Sequence, residues 1–274
     1  MMTGMPDPGS PDARSPDAQS PDAQSPDLGS PGPGSTGPGN PVESRPFQAA
    51  VFDLDGTLVD SETRSHESWR HVFRSRGIAP DDSLIRAFVG RRGSDVLDLL
   101  KEQVPGHDPA ELMAATSEHF HAPHQPPLGP LAGAVELVRL IAAAGVPLAL
   151  VTSAGRPYAE QTLDELGVHE LFSVVVTAED VTVGKPDPEG YRRALEALNV
   201  LPPLPERLVH PHEVLAVEDS PAGLAAAAGA GLLTFGVAHT YPESLLAGAD
   251  AVAASLDGLD LDRLERLLAE KSRR

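Results

Sequence analysis

Short apolar runs alternate with helical periodicity over most of the chain. The run at 49–52 predicts a buried strand that ends directly in an acidic turn. Strands that alternate with helices indicate a parallel sheet covered by helices on both faces, and such α/β sheets bind ligands at the carboxyl ends of their strands. Further strands are predicted at 146–151, 171–176, 214–217 and 232–235, and helices between them at 134–144, 157–166 and 188–198.

One stretch interrupts this alternation with consecutive helical patterns. Helices are predicted at 62–76, 81–89, 94–104 and 108–120, and a proline-rich segment closes the block near 130. Helices inserted after the first strand of an open sheet lie above its ligand edge, where they can act as a lid. We therefore expect an α/β core formed by residues 47–60 and 129–274, with a helical cap at 61–128.

The first 46 residues have a different composition. They hold 11 of the 28 prolines and seven glycines, and a five-residue repeat runs through them as SPDAR, SPDAQ, SPDAQ, SPDLG and SPGPG. Such a segment cannot bury enough apolar surface to offset the entropy of ordering. We expect a disordered tail without a catalytic role.

Charge and composition exclude several classes of function. The 274 residues contain 21 Lys and Arg against 40 Asp and Glu, a formal net charge of −19, and no cysteine. The acidic excess disfavours nucleic-acid binding, and no apolar run is long enough for a membrane helix. Without cysteine there are no disulfides, thiol nucleophiles or thiolate metal sites. We expect a cytoplasmic protein, monomeric or homodimeric, that acts on a small molecule.

Candidate chemistry begins with two acids, Asp53 and Asp55, directly after the first predicted strand. Carboxylates this close repel each other, so their placement favours a compensating cation. Mg²⁺ fits, because it prefers carboxylate and carbonyl oxygens. Asp-Gly is also a common turn pair, so this dipeptide alone leaves an ordinary turn open.

Three later segments supply complementary groups at other strand ends. Thr152 and Ser153 end the second strand, Lys185 is one of three lysines in the chain, and Glu218 and Asp219 end another apolar strand. Each has an ordinary structural interpretation, as a helix cap or a surface lysine. Together, acids, a lysine and small hydroxyls at one sheet edge indicate a phosphoryl-transfer site.

Four segments in this order, DLDGTLVDSE, LVTSAG, GKPDPEGY and VEDSPAGLAAAAGAG, resemble the four motifs of the haloacid dehalogenase-like hydrolase superfamily. The likeness extends over about residues 47–270 and implies a Rossmann-like core. The inserted helices resemble the cap of the subgroup that includes β-phosphoglucomutase, phosphoglycolate phosphatase and sugar-phosphate phosphatases.

The resemblance implies roles for the acids. Asp53 would attack phosphorus to form an aspartyl-phosphate, and Asp55 would be general acid to the leaving alcohol and then base for water. Mg²⁺ would be bound by the Asp53 carboxylate, the backbone carbonyl of Asp55 and Asp219, with Glu218 close by or coordinating.

The resemblance also implies a set of substrate contacts. Thr152 and Lys185 would hold the transferring phosphoryl group, with help from the backbone at Ser153. Arg91 or Arg92, in a turn between two cap helices, could grip a second group of the substrate. A solvated charged turn is the alternative.

Departures from related branches narrow the activity. The mutase branch has a histidine at the position of Ser65. His66 is one residue further on, and because this turns its side chain by about 100° around a helix, it is not expected to replace that histidine, which favours hydrolysis over the mutase reaction. Asp55 disfavours dehalogenation, because dehalogenases lack this acid. The single cap lysine, Lys101, lies far from the first cap turn and disfavours the phosphonate-cleaving branch.

We therefore predict a Mg²⁺-dependent phosphatase that hydrolyses a small phosphorylated metabolite, with a sugar phosphate as the leading candidate. Two alternatives remain at this stage, a β-phosphoglucomutase-like phosphomutase and a non-catalytic regulator that binds a metabolite. Trp69 is expected to pack in the cap core, and residues 201–212 are expected to form a surface loop of no predicted function.

Overall fold

A six-stranded parallel sheet forms the centre of the molecule, with strand order β3-β2-β1-β4-β5-β6. A computed structural model describes residues 46–79, 81–88, 90–126, 128–200 and 207–271. The predicted tail up to residue 45, and residues 201–206 of the predicted loop, lie outside the described residues. The strands are β1 (Ala49–Phe52), β2 (Leu148–Val151), β3 (Phe172–Val176), β4 (Val214–Glu218), β5 (Leu233–Val237) and β6 (Ala251–Ala253).

Helices cover both faces of this sheet and form a separate layer above one edge. No helix within the described ranges is both long and apolar enough to cross a membrane. Ten α-helices are described: α1 (Glu62–Ser75), α2 (Asp82–Ala87), α3 (Gly93–Gln103), α4 (Pro109–Phe120), α5 (Ala134–Ala143), α6 (Arg156–Leu166), α7 (Glu189–Val200), α8 (Pro221–Gly229), α9 (Glu243–Leu246) and α10 (Leu261–Lys271).

Strand β1 is buried on both faces because alternate side chains enter two different cores. Ala50 and Phe52 join a cluster with α5, α6 and α10. Ala49 and Val51 join the opposite cluster, with α7 and α8. The middle of the sheet therefore holds the end of β1 rigidly, and whatever follows Phe52 is fixed at the carboxyl edge.

Helices α1 to α4 pack around an apolar cluster of their own. Trp69 lies at its centre, with ring centroids 4.7 Å from Phe88 and 5.7 Å from Phe73. Asp81 and Asp108 cap α2 and α4 by accepting from backbone N–H groups, as their positions before helical patterns favour. The predicted α/β fold with helices inserted after the first strand is confirmed.

The sequence analysis did not predict β6 or α10. Strand β6 is only three residues long, Ala-Val-Ala, and offers no distinct apolar run. Its pairing with β5 defines it, because Gly236 and Val252 are in register at the edge of the sheet. A strand this short depends on its neighbour more than on its own sequence.

Candidate active site

Three adjacent strands bring their carboxyl ends together at one edge of the sheet. Asp53 follows β1, Thr152 follows β2, and Glu218 is the last residue of β4. Strand β1 lies between β2 and β4, so these side chains lie on neighbouring strands. The loop before α7 adds Lys185 from outside the sheet, and the predicted strand-end groups meet in one place.

Lys185 is the centre of a buried hydrogen-bond network. Its Nζ donates to Oδ1 of Asp53 at 2.5 Å, to Oε1 of Glu218 at 2.6 Å and to the carbonyl oxygen of Val151 at 3.0 Å. Burial alone would lower the pKa of Lys185, but the two carboxylates outweigh burial and raise it above its ordinary value. Lys185 therefore stays charged beside Asp53.

Glu218 holds Lys185 in place. Its Oε1 also accepts from the hydroxyl of Tyr191 at 2.6 Å, and its Oε2 accepts from Oγ of Ser220 at 3.1 Å. A Cβ atom at Gly223 would lie within 1.9 Å of this carboxyl group, so only glycine fits there. Tyr191 was missed by the sequence analysis, although it ends the segment GKPDPEGY and lies in the first turn of α7.

Three carboxyl groups form a cluster beside the single positive charge of Lys185. Oxygens of Asp53, Glu218 and Asp219 lie within 4.8 Å of one another. Asp219 is 1% exposed, and its Oδ2 has no hydrogen-bond partner. Burial raises the pKa of Asp53 to about 8 although Lys185 opposes it, and burial also raises the pKa of Asp219.

A hard divalent cation fits this donor set, because it would satisfy the unpartnered oxygen and balance the acids. Gly56 makes the close packing possible. Its φ is +80°, and a Cβ atom there would lie 2.1 Å from Oδ2 of Asp219. The residues present therefore fit Mg²⁺.

Asp55 lies two residues after Asp53, at the start of the turn that follows β1. Its Oδ1 accepts from Oγ of Ser61 at 2.6 Å and from the hydroxyl of Tyr158 at 2.9 Å. Burial raises the pKa of Asp55, and these two hydrogen bonds oppose that rise. A carboxyl group with a raised pKa next to a second carboxyl suits proton transfer.

A chamber of about 320 Å³ separates the sheet edge from the inserted helices. Its volume lies at the lower end of the roughly 300–1,000 Å³ that small-molecule sites span. Asp53, Asp55 and Tyr158 line it from the sheet side. The inserted helices contribute an apolar surface formed by Trp69, Phe88, Val96, Met113 and Phe120, and polar residues of the same segment also line the chamber.

Thr152 and Ser153 both lie at the sheet edge and line this chamber. Oγ1 of Thr152 accepts from the backbone N–H of Ala154 at 3.0 Å, which shapes the loop after β2. Oγ of Ser153 donates to the carbonyl oxygen of Gly90 at 2.8 Å. The Ser153 side chain therefore contacts the turn between α2 and α3.

The two neighbouring arginines point in different directions. Arg91 lines the chamber, whereas Arg92 is not among the described residues that do. Nη1 of Arg92 donates to the carbonyl oxygens of Thr182 at 2.7 Å and Val181 at 3.2 Å, and Asp95 accepts from its Nη2 at 3.1 Å. Arg92 instead lines a smaller cavity at the sheet edge, beside the other predicted substrate contacts Thr152, Ser153 and Lys185.

Glu62 also lines the chamber, although no role was predicted for it from its place at the end of the segment DLDGTLVDSE. It is 8% exposed, and its Oε2 has no hydrogen-bond partner. Burial, followed by the charges of Asp55 and Asp53, raises the pKa of Glu62 to about 8. Ser65 also lines the chamber, whereas His66 does not belong to the described lining.

Comparison with known proteins shows the family of the chain. A family model described as haloacid dehalogenase-like hydrolase matches residues 47–231. The chain belongs to the haloacid dehalogenase-like hydrolase family.

Two curated relatives have phosphatase names. The chain is 39% identical to validoxylamine A 7′-phosphate phosphatase of Streptomyces hygroscopicus subsp. limoneus, over 77% of this chain and 94% of that protein. It is 32% identical to hexitol phosphatase A of Escherichia coli K12, over 78% of this chain and 93% of that protein. With the family membership, these relatives identify the protein as a phosphatase.

A solved structure shares the fold over most of the chain. CbbY of Rhodobacter sphaeroides in complex with phosphate superposes with a TM-score of 0.63 at 27% identity, covering 78% of this chain and 96% of that one. The likeness spans nearly the full length of that protein.

Proposed function

We propose that the protein is a Mg²⁺-dependent phosphatase that hydrolyses a small phosphorylated polyhydroxy metabolite, with a sugar phosphate as the leading class. The observation that carries the proposal is the buried contact of Lys185 with Asp53, next to the unpartnered oxygen of Asp219. We also propose that residues 61–128 act as a cap on the core formed by 47–60 and 129–274.

Asp53 would be the nucleophile. A carboxylate oxygen of Asp53 forms a bond to phosphorus while the bond from phosphorus to the substrate oxygen breaks, and Asp55 gives that oxygen a proton. In the second step Asp55 takes a proton from water, and the water oxygen bonds to phosphorus. The bond to Asp53 then breaks, and inorganic phosphate leaves with Asp55 protonated again.

Mg²⁺, when bound, supplies positive charge next to the transferring phosphoryl group. Asp53 and Asp219 would hold it through carboxylate oxygens and Asp55 through its backbone carbonyl. Glu218 is close enough to contribute, but both of its oxygens already accept hydrogen bonds. This supports Glu218 chiefly as the anchor of Lys185.

Lys185, Thr152 and the backbone at Ser153 would hold the phosphoryl oxygens. Lys185 contacts Asp53 and, by exchanging one of its three present acceptors, can donate to an oxygen on the phosphorus that Asp53 attacks. Thr152 and Ser153 line the same chamber from the loop that precedes α6, so the helix N-terminus adds favourable potential for an anion.

The chamber supports a compact substrate with several hydroxyl groups. Glu62 offers an unpartnered carboxyl group, which in its neutral form can both donate and accept a hydrogen bond. Ser65 and Arg91 add further polar contacts, and Trp69 offers an apolar surface for the carbon face of a ring. The names of the two curated relatives, one of them a hexitol phosphatase, agree with this class.

Phosphate release tests the proposal. Hexose phosphates, hexitol phosphates, phosphoglycolate and nucleotides are incubated with the full chain, with Mg²⁺ or with a chelator. We expect Mg²⁺-dependent release from one or a few polyol or sugar phosphates. Isomerised sugar phosphate without net phosphate would indicate the phosphomutase instead, and binding without turnover would indicate the regulator.

Metal binding is tested separately from turnover. We expect Mg²⁺ to raise the Tm of the wild-type protein and to have a much smaller effect on Asp219→Asn. Asp60→Asn is the matched control, since Asp60 is partly exposed and contacts His239. Equal Mg²⁺ responses of wild type and Asp219→Asn would remove Asp219 from the metal site.

A further inference from the structure

Arg92 makes contacts that the proposed reaction does not explain. It directly precedes α3, yet its guanidinium group reaches the loop between β3 and α7. Nη1 donates to the carbonyl oxygens of Thr182 and Val181, and Asp95 in the first turn of α3 holds the group from behind. A side chain of the inserted helices is therefore bound to the loop that leads to Lys185.

The stem of Arg92 lies against the backbone of this loop at Gly184. A Cβ atom at Gly184 would lie 2.6 Å from both Cγ and Nε of Arg92, so this approach requires glycine. The next residue is Lys185, whose Nζ contacts Asp53 at 2.5 Å. A short chain of contacts thus runs from Arg92 to the nucleophile.

Two different parts of the molecule hold this loop. Glu189, at the start of α7, accepts from the backbone N–H groups of Thr182 at 3.0 Å and Val183 at 2.9 Å. Arg92 donates to the carbonyl oxygen of the same residue, Thr182. The contact with Glu189 stays within the core, whereas the contact with Arg92 exists only when the inserted helices lie over the sheet edge.

The same turn contacts a second phosphoryl-binding loop. Gly90 lies two residues before Arg92, and its carbonyl oxygen accepts a hydrogen bond from Oγ of Ser153. The turn therefore touches the loop after β2 and the loop before α7 together. These are the two loops that carry Ser153 and Lys185.

We propose that Arg92 is a latch. When the cap closes, Arg92 binds the carbonyl oxygens of Val181 and Thr182 and fixes the loop that carries Lys185, so that closure completes the phosphoryl-binding site. Arg92 acts through Lys185 and is a positioning residue. The role of Lys185 in this inference rests on the proposed function, whereas the docking of Arg92 rests on the contacts alone.

Kinetics give the first test. Arg92→Ala is expected to lower kcat by roughly ten- to hundredfold, the effect of losing hydrogen bonds from a charged donor, and to change KM much less. Arg92→Lys should recover part of kcat, because an ammonium group can donate to one carbonyl. Arg76→Ala is the matched control, since Arg76 pairs with Glu111 within the inserted helices, and we expect wild-type kinetics.

A double-substitution cycle gives the second test. Gly184→Ala should lower kcat by placing a methyl group against Arg92. Arg92→Ala removes the three atoms that lie nearest to this methyl group, so adding Gly184→Ala should cost little further activity. Additive losses would show that Gly184 acts without Arg92 and would overturn the latch, as would a rise in KM with unchanged kcat in Arg92→Ala.

Hydrogen exchange separates the latch from the proposed function. The backbone amides of residues 181–185 and 187 are expected to exchange faster in Arg92→Ala than in wild type and Arg76→Ala, without substrate or metal. Equal exchange in all three proteins would overturn the latch even if phosphate release is observed. Faster exchange in a protein that releases no phosphate would support the docking and reject the proposed function.

Discussion

The sheet edge and the inserted helices face each other across one chamber, but each is stabilised internally by a different kind of interaction. At the sheet edge, Lys185, Asp53 and Glu218 are joined by hydrogen bonds of 2.5 to 2.6 Å. On the opposite side, Trp69 and Phe88 belong to an apolar cluster, and Glu62 has an unpartnered oxygen. Buried hydrogen bonds already fix the side chains of the sheet edge, whereas the facing wall keeps a carboxyl oxygen without a partner.

The largest expected effect is the loss of turnover when a residue of the sheet edge is changed. Asp53→Asn removes the nucleophile and should lower kcat by at least about a thousandfold, with the protein still folded. Asp60→Asn, seven residues further along and outside the described chamber lining, is the control and should keep kcat within about twofold. Phosphate release and circular dichroism of both variants make the measurement. Turnover by Asp53→Asn at the wild-type rate would remove Asp53 as nucleophile.

On the side of the inserted helices, Glu62 is expected to make the stability of the protein depend on pH. The pKa of Glu62 is about 8 in the folded protein, above its ordinary value of 4.5, so the folded state keeps a proton that the unfolded chain has lost. The contribution of Glu62 to stability is fully present below about pH 4.5 and is lost as pH rises to about 8.

Denaturant unfolding without metal measures this contribution. We expect Glu62→Gln to reduce the loss of unfolding free energy between pH 5 and pH 8 by on the order of 2–3 kcal/mol. Glu67→Gln is the control, because Glu67 is exposed on the same helix and should leave the pH profile unchanged. Parallel profiles for wild type and Glu62→Gln would contradict the raised pKa.

A smaller effect is expected for substrate binding. Glu62→Gln should raise KM by about tenfold, since one hydrogen bond in the chamber changes, and should alter kcat less than Asp53→Asn does. Steady-state kinetics with the best substrate of the panel measure both constants. An unchanged KM would show that Glu62 does not contact the substrate.

The smallest expected effect concerns the support of Lys185. Tyr191→Phe keeps the buried ring but deletes the hydroxyl that donates to Glu218, so unfolding free energy should fall by about 1 kcal/mol and kcat severalfold. Tyr241→Phe is the comparison, because its hydroxyl donates to the carbonyl of Arg86 in a more exposed place. A larger stability loss in Tyr241→Phe would contradict the greater weight that we give to the sheet edge.

The residues of the sheet edge could be predicted because local sequence determines where a strand ends. Asp53 and Thr152 follow apolar runs, and a parallel sheet brings such positions to one edge. Lys185 was recognisable as a rare lysine in a loop before a helix.

The direction of cap side chains depended on tertiary packing instead. Arg91 and Arg92 are adjacent in a turn, yet one lines the chamber and the other binds the Val181–Thr182 backbone. Residue spacing alone carries no information on which of two neighbours faces a surface that belongs to another part of the chain. Glu62 was overlooked for the same reason, because its lack of a partner is visible only in the folded protein.

The approach of Arg92 to Gly184 has a consequence for how this sequence can diverge. A methyl group at position 184 and an arginine at position 92 cannot occupy the same space, since the Cβ atom would lie 2.6 Å from the arginine stem. Which substitutions are tolerated at position 184 therefore depends on the residue at position 92, and the reverse also holds. In an alignment of descendants, we expect alanine or serine at 184 to co-occur with a short side chain at 92, and long side chains at 92 to co-occur with glycine.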